Sequence, residues 1–596
     1  MNLRAELERR LSAAFVKAGA PEGADALVAP SGNPKFGDYQ ANGAMAAAKR
    51  VQTNPRELAG KVVEAADLAD LAAAVEIAGP GFINVRLRDD WLAGELTARQ
   101  ADARLGVPAL ADDQKQTVVV DYSHPNLAKE MHVGHLRSTI IGDALCRTLE
   151  FLGHEVVRHN HVGDWGTQFG MLTAAWEESF DTLVTRETPL ARITVRHAEI
   201  EDMEEFYRQA KGRFDADERF ASKAKEYVVR LQGGDQVVLE LWGHVVEQST
   251  EHAERVYRRL GVTLRRKHVR GESAYNDDLP RVIEGLRAAG LLTESDGAQC
   301  VFLDEFRNKD GEIIPCIVQK SDGGYLYATT DLAALRYRTG TLPEGEEQLH
   351  ADRAVYVVDA RQTLHLRQVF AVARAAGFAA ERCSLEHVAF GTMMGDDGKP
   401  FKTRTGGTVK LTSLLDEAEQ RAFDLVSDKS PDLAEDRRRE IARVVGIGAV
   451  KYADLCQNRT SDYVFSWDKM LSLEGNTAPY MQYAYARVQS IFGKGGVDEA
   501  AAGGPIALAE PAERALGLKL VQFPETVDAV ARECLPNRLC EYLYDLAGAF
   551  MGFYEACPVL KADEPVRTSR LALCRLTAKT IKTGLGLLGI ETIERM

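Results

Sequence analysis

The sequence lacks several features that would place it in a specialised class of protein. Its 596 residues contain no apolar run of about 18 residues, the length that a membrane-spanning helix needs. The first residues, MNLRAELERRLSAAF, alternate charged and apolar positions and lack the apolar core of a secretory signal. We therefore expect a cytoplasmic protein with no membrane partner.

Cysteine pairs at metal-binding spacing are also missing. The nine cysteines are scattered along the chain, and none of them forms a C-x-x-C pair. Cys534 and Cys540 are close in sequence, but no histidine stands near them at the spacing of a zinc site. The pattern predicts reduced, buried thiols and no structural metal.

An excess of positive charge is absent as well. The chain has 73 Lys and Arg against 88 Asp and Glu, a net charge of −15, whereas a basic field is the usual footprint of a nucleic-acid-binding protein. Any contact with RNA must therefore come from local basic and aromatic patches. The composition is otherwise that of a globular protein, and the length predicts about three or four domains.

The chain begins with a pattern typical of a small α+β domain, and we assign residues 1–112 to it. Helical spacing recurs near 4–18 and 55–66, and an alternating strand follows Gly79-Pro80-Gly81. The β-branched run 117–123 then suits a buried parallel strand, and the helix after it ends at Gly153. A strand, a loop and a helix in this order open a nucleotide-binding α/β domain.

That α/β domain is expected to span 113–407. A charged helical stretch at about 172–260 predicts an insertion into it, and short apolar runs predict strands near 300–303, 313–319, 325–328 and 354–359. From 408 onward the pattern is almost wholly helical, and we divide it into 408–465 and 466–596.

The strongest chemical motif is PNLAKEMHVGH. His132 and His135 flank Gly134 at the start of a predicted helix, where free N–H groups and partial positive charge suit a triphosphate. Both histidines can donate to phosphoryl oxygens that gain charge in a transition state. Capping or surface histidines are the alternative, but the preceding strand and following helix favour adenylyl transfer. The motif comprises Pro125, Asn126, Leu127, Ala128, Lys129, Glu130, Met131, His132, Val133, Gly134 and His135.

A second motif, GKPFKTRTGG, lies near the end of the predicted α/β region. Lys399, Lys402 and Arg404 stand in this glycine-flanked loop, and such a loop can close on a pyrophosphate leaving group. A solvated basic turn is the alternative. The order of the two motifs matches that of class I aminoacyl-tRNA synthetases.

Further motifs make the resemblance more specific. They are FGDYQANGAM (36–45), NHVGDWGTQFGML (160–172), GGYLYATTD (323–331), YVVDARQTLH (356–365), GAVKYADL (448–455), GNTAPYMQYAYAR (475–487) and the final GIETIERM. Along essentially its whole length the chain resembles the arginyl-tRNA synthetases of bacterial type. The resemblance implies an α/β, Rossmann-type catalytic domain, an N-terminal α+β domain that binds the tRNA elbow, and a C-terminal all-α anticodon-binding domain. It also implies a monomer that uses arginine, ATP with Mg²⁺, and arginine tRNA.

The arginine pocket must bind a planar, permanently charged guanidinium, which prefers carboxylates. Tyr327 and Asp331 are four residues apart and would share one face of a helix. By resemblance these two residues and Glu272 line the guanidinium end, Gln362 lies nearby, and Asn126 holds the amino-acid backbone. A helix cap or a surface carboxylate is the alternative for Asp331.

The sequence departs from the family pattern at two positions. Thr403 stands where the second class I motif usually carries a lysine, and in related enzymes a lysine three residues before the first histidine, here Lys129, is thought to compensate. His124 stands before Pro125, where a small residue is usual.

The RNA-binding surface is predicted from aromatic residues at helical spacing. Tyr480, Tyr483 and Arg487 could stack on splayed bases, although core packing is the common role of such tyrosines. By resemblance Tyr554 and Met596 lie near the anticodon. Asn33, Phe36 and Gln40 resemble residues that meet the tRNA elbow, and Phe36 could instead belong to the core.

Two alternative functions stay open at this stage. One is a class I enzyme for another amino acid, although the two acidic residues of the pocket favour a cationic substrate. The other is a non-catalytic RNA-binding paralogue, against which the intact Lys129, His132, His135 and Asp331 argue.

Overall fold

The computed structural model describes residues 1–181, 203–395, 397–401 and 409–595. Of the residues predicted to form sites, Lys402, Arg404 and Met596 lie outside this range, as does Thr403.

The N-terminal domain is a four-stranded antiparallel sheet covered by helices, with strand order β1-β2-β4-β3. The predicted helices and the strand after Gly81 are confirmed. Asn54 caps the third helix, and Pro55 occupies its first turn, where a missing N–H costs nothing. The elements are α1 (Leu3–Lys17), β1 (Val28–Pro30), β2 (Tyr39–Ala41), α2 (Ala44–Val51), α3 (Pro55–Ala65), β3 (Ala72–Ala78), β4 (Phe82–Leu87) and α4 (Asp89–Arg99).

The central domain is built on a parallel sheet, as predicted. Its first half contains β5 (Thr117–Asp121), α5 (Leu136–Leu152), β6 (Glu155–Val162), α6 (Thr167–Asp181), α7 (Met203–Ala216), α8 (Glu218–Gln232), α9 (Gln236–Leu260), β7 (Val269–Gly271) and α10 (Leu279–Ala288). Its second half contains β8 (Leu292–Ser295), β9 (Ala298–Val301), β10 (Cys316–Gln319), α11 (Tyr327–Thr339), β11 (Arg353–Tyr356), α12 (Thr363–Ala375), β12 (Ser384–His387) and β13 (Met393–Met394).

The five-stranded sheet has the order β12-β11-β5-β6-β7, and every neighbouring pair is parallel. The chain runs outward from β5 through β6 to β7 and then returns to the other side of β5. The topological switch point therefore lies between β5 and β11, where doubly wound sheets bind their ligands beyond the carboxyl ends of the strands. The sheet β10-β9-β8 is antiparallel and separate.

One strand prediction is wrong. Residues 325–328 do not form a strand, because α11 already begins at Tyr327. Leu326, which has an extended backbone, is the N-cap of that helix. Only a single bridge between Tyr325 and Gln319 remains of the predicted strand. The short apolar run YLYA does not distinguish a strand from a helix start by periodicity.

The C-terminal part is helical, as predicted, except for one short strand that pairs with β13 in parallel. A buried ion pair between Arg137 of α5 and Asp454 of the helical part (3.0 Å) also joins the two regions. The elements are α13 (Leu411–Lys429), α14 (Glu435–Leu455), β14 (Tyr463–Val464), α15 (Trp467–Met470), α16 (Ala478–Gly495), α17 (Pro511–Val521), α18 (Phe523–Glu533), α19 (Asn537–Ala556) and α20 (Val566–Leu587).

The N-terminal domain packs on α17 and α18. Arg514 pairs with Asp38 at 2.8 Å, and the Tyr39 hydroxyl donates to the buried Glu525 at 3.0 Å. Lys579 of α20 donates to the carbonyl of Asp102 at 2.7 Å. These contacts join the first and last domains directly.

All nine cysteines are free thiols, eight of them buried and Cys456 half-buried, in agreement with the prediction of reduced, buried thiols. In the parts of the chain that the structure describes, none of the helices combines the length and apolarity that crossing a membrane would require.

Candidate active site

A cavity of about 350 Å³ lies at the switch point of the parallel sheet. The carboxyl ends of β5, β6 and β11 and the first turns of α11 and α12 surround it. All five residues predicted to bind arginine line it. The lining residues are Asp121, His124, Asn126, His161, Gly163, Glu272, Tyr327, Asp331, Tyr356, Val358, Gln362, His365 and Leu366.

The histidine motif forms a tight turn at the start of α5. The His132 backbone N–H donates to Nδ1 of His135 at 3.0 Å, and the Gly134 N–H donates to Nδ1 of His132 at 3.1 Å. The two rings lie 4.0 Å apart. A side chain at Gly134 would come within 2.8 Å of the His132 ring, so glycine is required for this turn.

These hydrogen bonds fix the histidine tautomers. Because Nδ1 of His135 accepts a hydrogen bond, the proton of the neutral ring sits on Nε2. Burial, with a smaller contribution from His132, lowers the pKa of His135 to about 3. His135 is therefore a neutral Nε2–H donor at physiological pH.

The second predicted ATP loop is anchored at both of its described ends. On the near side, Phe401 donates to the carbonyl of Met393 at 3.0 Å, and its ring packs on Phe465 beside β14. On the far side, Lys410 bridges to His132, and the Val133 N–H donates to the carbonyl of Val409 at 3.0 Å. The loop thus connects the histidine motif with the helical part of the chain.

Two carboxylates stand at the other end of the cavity. Burial, and then the nearby carboxylates of Asp164 and Asp331, raise the pKa of Glu272 to about 7. Tyr327 and Asp331 share α11 as predicted, and Tyr327 is 71% exposed at the cavity mouth. A guanidinium entering here would meet the carboxyl groups of Glu272 and Asp331.

Asp164 holds the backbone turn at this end of the cavity in place. Its carboxylate accepts hydrogen bonds from the Ser273 N–H (2.9 Å) and the Ser273 hydroxyl (2.6 Å). The turn that carries Glu272 is therefore fixed to the Asp164-Trp165-Gly166 segment after β6.

His124, the unusual residue before the motif, has a defined partner. Its Nε2 lies 2.9 Å from Asp121, which also pairs with the buried Arg338 at 2.7 Å. Burial opposes ionisation of Asp121, but the charges of Arg338 and His124 hold its pKa well below the usual range. His124 has a left-handed backbone (φ 50°), and its ring becomes part of the cavity wall.

Several residues around the cavity were not selected from the sequence. His365 lies 2.6 Å from Asp331, and His161 and Tyr356 come from the ends of β6 and β11. Burial lowers the pKa of His161 to about 4. His365 stands in the family motif YVVDARQTLH, which was the one sequence signal for it.

Asn126 and Gln362 at the cavity rim, and Lys129 farther along the histidine motif, are exposed to solvent. Asn126 accepts a hydrogen bond from the Ala128 N–H at 3.0 Å, and Gln362 ends a 3-10 turn before α12. The ammonium of Lys129 lies 4.7 Å from the ring centre of Tyr207 in α7. The helical insertion therefore reaches the ATP motif.

The residues predicted to bind RNA occupy two surfaces. Asn33 caps a short 3-10 turn, and Phe36 is 48% exposed rather than part of the core. Gln40 donates to Asn84 at 2.8 Å on the same sheet.

The second surface belongs to the C-terminal domain. Arg487 donates to the Tyr483 hydroxyl at 2.6 Å and lies 5.0 Å from the ring centre of Tyr554. Tyr480 packs on Tyr544 and is partly buried against the core. One cluster therefore contains Tyr483, Arg487 and Tyr554. Tyr480 lies outside this cluster and packs against Tyr544 and the core.

Three family models match the chain in succession. Residues 1–87 match the arginyl tRNA synthetase N terminal domain. Residues 101–467 match the catalytic domain of class I tRNA synthetases of the (R) type, and residues 481–596 match the DALR anticodon binding domain. These matches confirm the predicted fold class.

Known proteins are similar over the full length. The arginine–tRNA ligase of Hahella chejuensis is 60% identical, and that of Cellvibrio japonicus is 58% identical, with 100% of this chain and of each relative covered. The crystal structure of arginyl-tRNA synthetase from Plasmodium falciparum has a TM-score of 0.83 at 30% identity, with 100% of this chain and 99% of that chain covered. The arginyl-tRNA synthetase structure from Thermus thermophilus has a TM-score of 0.81 at 27% identity, with both chains covered fully. The chain therefore belongs to the arginyl-tRNA synthetase family of class I, the arginine–tRNA ligases that use ATP.

Proposed function

We propose that the chain forms arginyl adenylate in the cavity at the switch point and then transfers arginine to the terminal ribose of arginine tRNA. The observation that carries this proposal is the arrangement of the cavity. Carboxylates stand at one end, and Asn126 in its wall leads directly into the histidine motif at the start of α5.

At the guanidinium end, Asp331 and Glu272 are proposed to pair with the substrate cation, and Tyr327 covers the mouth of the pocket. Asn126 is proposed to hold the amino-acid backbone, with Gln362 beside it. A pocket with two carboxylates suits arginine, because a guanidinium can bond each of them through parallel N–H groups. An apolar substrate would leave both acids unpaired.

At the phosphate end, His132 and His135 are proposed to donate to ATP. A carboxylate oxygen of arginine attacks the α-phosphorus, a new P–O bond forms, and pyrophosphate leaves. The neutral Nε2–H of His135, fixed by its hydrogen bond at Nδ1, stabilises the charge that develops on the phosphoryl oxygens. Lys129, Lys402 and Arg404 are proposed to neutralise the departing pyrophosphate.

In the second step, a ribose hydroxyl attacks the arginyl carbonyl carbon, an ester forms, and AMP leaves. Mg²⁺ is expected to accompany ATP. Within residues 1–181, 203–395, 397–401 and 409–595, no group of three or more His, Cys, Asp or Glu side chains could hold a metal ion, and we assign none of these side chains to the ion.

The domain division is part of the proposal. Residues 1–112 would meet the tRNA elbow through Asn33, Phe36 and Gln40, and 113–407 would carry the chemistry. Residues 408–465 would contact the stem, and 466–596 would read the anticodon. The residues proposed for that last contact are Tyr480, Tyr483, Arg487, Tyr554 and Met596. A monomer in the cytoplasm is expected, and sedimentation tests the first of these properties.

The experiment that tests the proposed function is pyrophosphate exchange with each amino acid in the presence of tRNA. We expect exchange with arginine alone among the amino acids. The Asp331→Asn variant should raise the arginine KM sharply, because loss of one partner of a desolvated charge pair costs about 2–5 kcal/mol. The ATP KM should be unchanged. An unaltered arginine KM in this variant would contradict the assignment of the guanidinium pocket.

A further inference from the structure

Asp331 has a partner in the cavity that the proposed mechanism does not use. Nε2 of His365 lies 2.6 Å from Oδ2 of Asp331, and both side chains line the cavity. The two residues come from different helices, since Asp331 stands in α11 and His365 is the third residue of α12. The contact therefore joins two elements that reach the cavity from separate parts of the chain.

We propose that His365 is a positioning residue for arginine recognition, whose Nε2–H holds Oδ2 of Asp331 and thereby presents Oδ1 to the guanidinium. This inference rests on the proposed role of Asp331 as the guanidinium partner. It assigns His365 no direct contact with the reacting atoms.

The geometry supports this role in two ways. A hydrogen bond to a carboxylate is short and strong, and it restricts the rotation of a side chain that is otherwise free to turn about two bonds. For the part of the chain that the structure describes, no second hydrogen bond to the Asp331 carboxylate is found. Without His365, the Asp331 carboxylate could therefore rotate, while its charge would stay in place.

The charges around the pair favour the same role. Hydrogen bonding to Asp331 raises the pKa of His365, against the effect of burial. The carboxylate of Asp331 is close enough to disfavour the ionisation of Glu272, so a positive imidazolium offsets repulsion within the pocket. The other ionisable groups that line the cavity are Asp121, His124, His161, Tyr327 and Tyr356.

Gln362 immediately precedes α12 and is itself proposed to contact arginine. The hydrogen bond of His365 to Asp331 therefore fixes the start of α12, and with it the positions of both Gln362 and Asp331. Glutamine at position 365 could place an amide N–H near the position of Nε2, whereas alanine could not. This difference provides a conservative variant.

The test compares His365→Gln, His365→Ala and Asp331→Asn, with the exposed His350→Gln as a matched control. The arginine KM, the ATP KM and kcat of tRNA charging are measured for each. We expect His365→Ala to raise the arginine KM about tenfold, the scale of one charge-assisted hydrogen bond, with the ATP KM within about twofold of the parent. His365→Gln should recover most of the loss, and His350→Gln should match the parent.

Three outcomes would overturn the inference: an arginine KM that His365→Ala leaves within about twofold, equal increases in the arginine and ATP KM, or a glutamine variant no better than alanine. Asp331→Asn separates this inference from the proposed function. If Asp331→Asn leaves the arginine KM unchanged, the guanidinium pocket itself is misassigned. If it raises the arginine KM while His365→Ala does not, the inference about His365 alone is wrong.

Discussion

We predict that Glu272 makes arginine binding depend on pH. In the empty pocket, burial and the carboxylates of Asp164 and Asp331 raise the pKa of Glu272 from 4.5 to about 7, so the neutral carboxyl is favoured below pH 7. A bound guanidinium favours the ionised form. Arginine affinity should therefore be low below pH 7, rise as the pH increases through 7, and level off above it.

The magnitude follows from the fraction of Glu272 that is ionised. That fraction is about 0.1 at pH 6 and about 0.9 at pH 8 for a group with a pKa of 7. We therefore expect the arginine affinity to increase about tenfold between these pH values, with release of about 0.9 proton per arginine at pH 6 and about 0.1 at pH 8.

Titration calorimetry of arginine in two buffers of different ionisation enthalpy measures both quantities without ATP. Glu272→Gln should lower the affinity at pH 8 and remove most of the slope, whereas the exposed Glu294→Gln should keep it. His365 also loses positive charge as the pH rises. Its contribution to the pH dependence of arginine affinity is the slope that remains in the Glu272→Gln variant. An affinity independent of pH, or an equal slope in parent and Glu272→Gln, would refute the reasoning.

The remaining predictions concern the phosphate end and the tRNA. His135→Ala should slow adenylate formation at least about a hundredfold, the scale of one transition-state donor, with little change in arginine affinity; near-normal rates in single-turnover assays would contradict its role. Lys129→Ala should lower the exchange rate and Thr403→Lys should restore part of it, whereas a silent Lys129→Ala would exclude compensation. Pyrophosphate exchange should be near background without tRNA, because a loop with one cation fewer needs a second ligand to favour its closed form, a coupling of about 1–3 kcal/mol. Tyr480→Ala or Arg487→Ala should weaken the activation by tRNA, and robust exchange by RNA-free enzyme would disprove the coupling.

The sequence alone determined the elements whose causes are local. The β-branched run of β5, the helical spacing of α5 and the left-handed Gly153 that ends it all depend on neighbours within a few residues, and each was predicted within a few residues of its observed bounds. The sequence also placed the motif at 125–135 at the start of a helix, and its role in binding ATP stays a prediction. Family motifs added the residues that we propose to bind arginine, which lie far apart in the chain and have no common local pattern.

Only the tertiary structure decided which of these residues share a cavity and what charge they carry there. The parallel sheet turns back at β5, and this crossover brings Glu272, Asp331 and His365 together from three separate segments. The raised pKa of Glu272 and the Asp331–His365 contact are consequences of burial and proximity between those segments. A one-dimensional pattern records neither, because the distance in space between residues remote in sequence is set by packing of the whole domain.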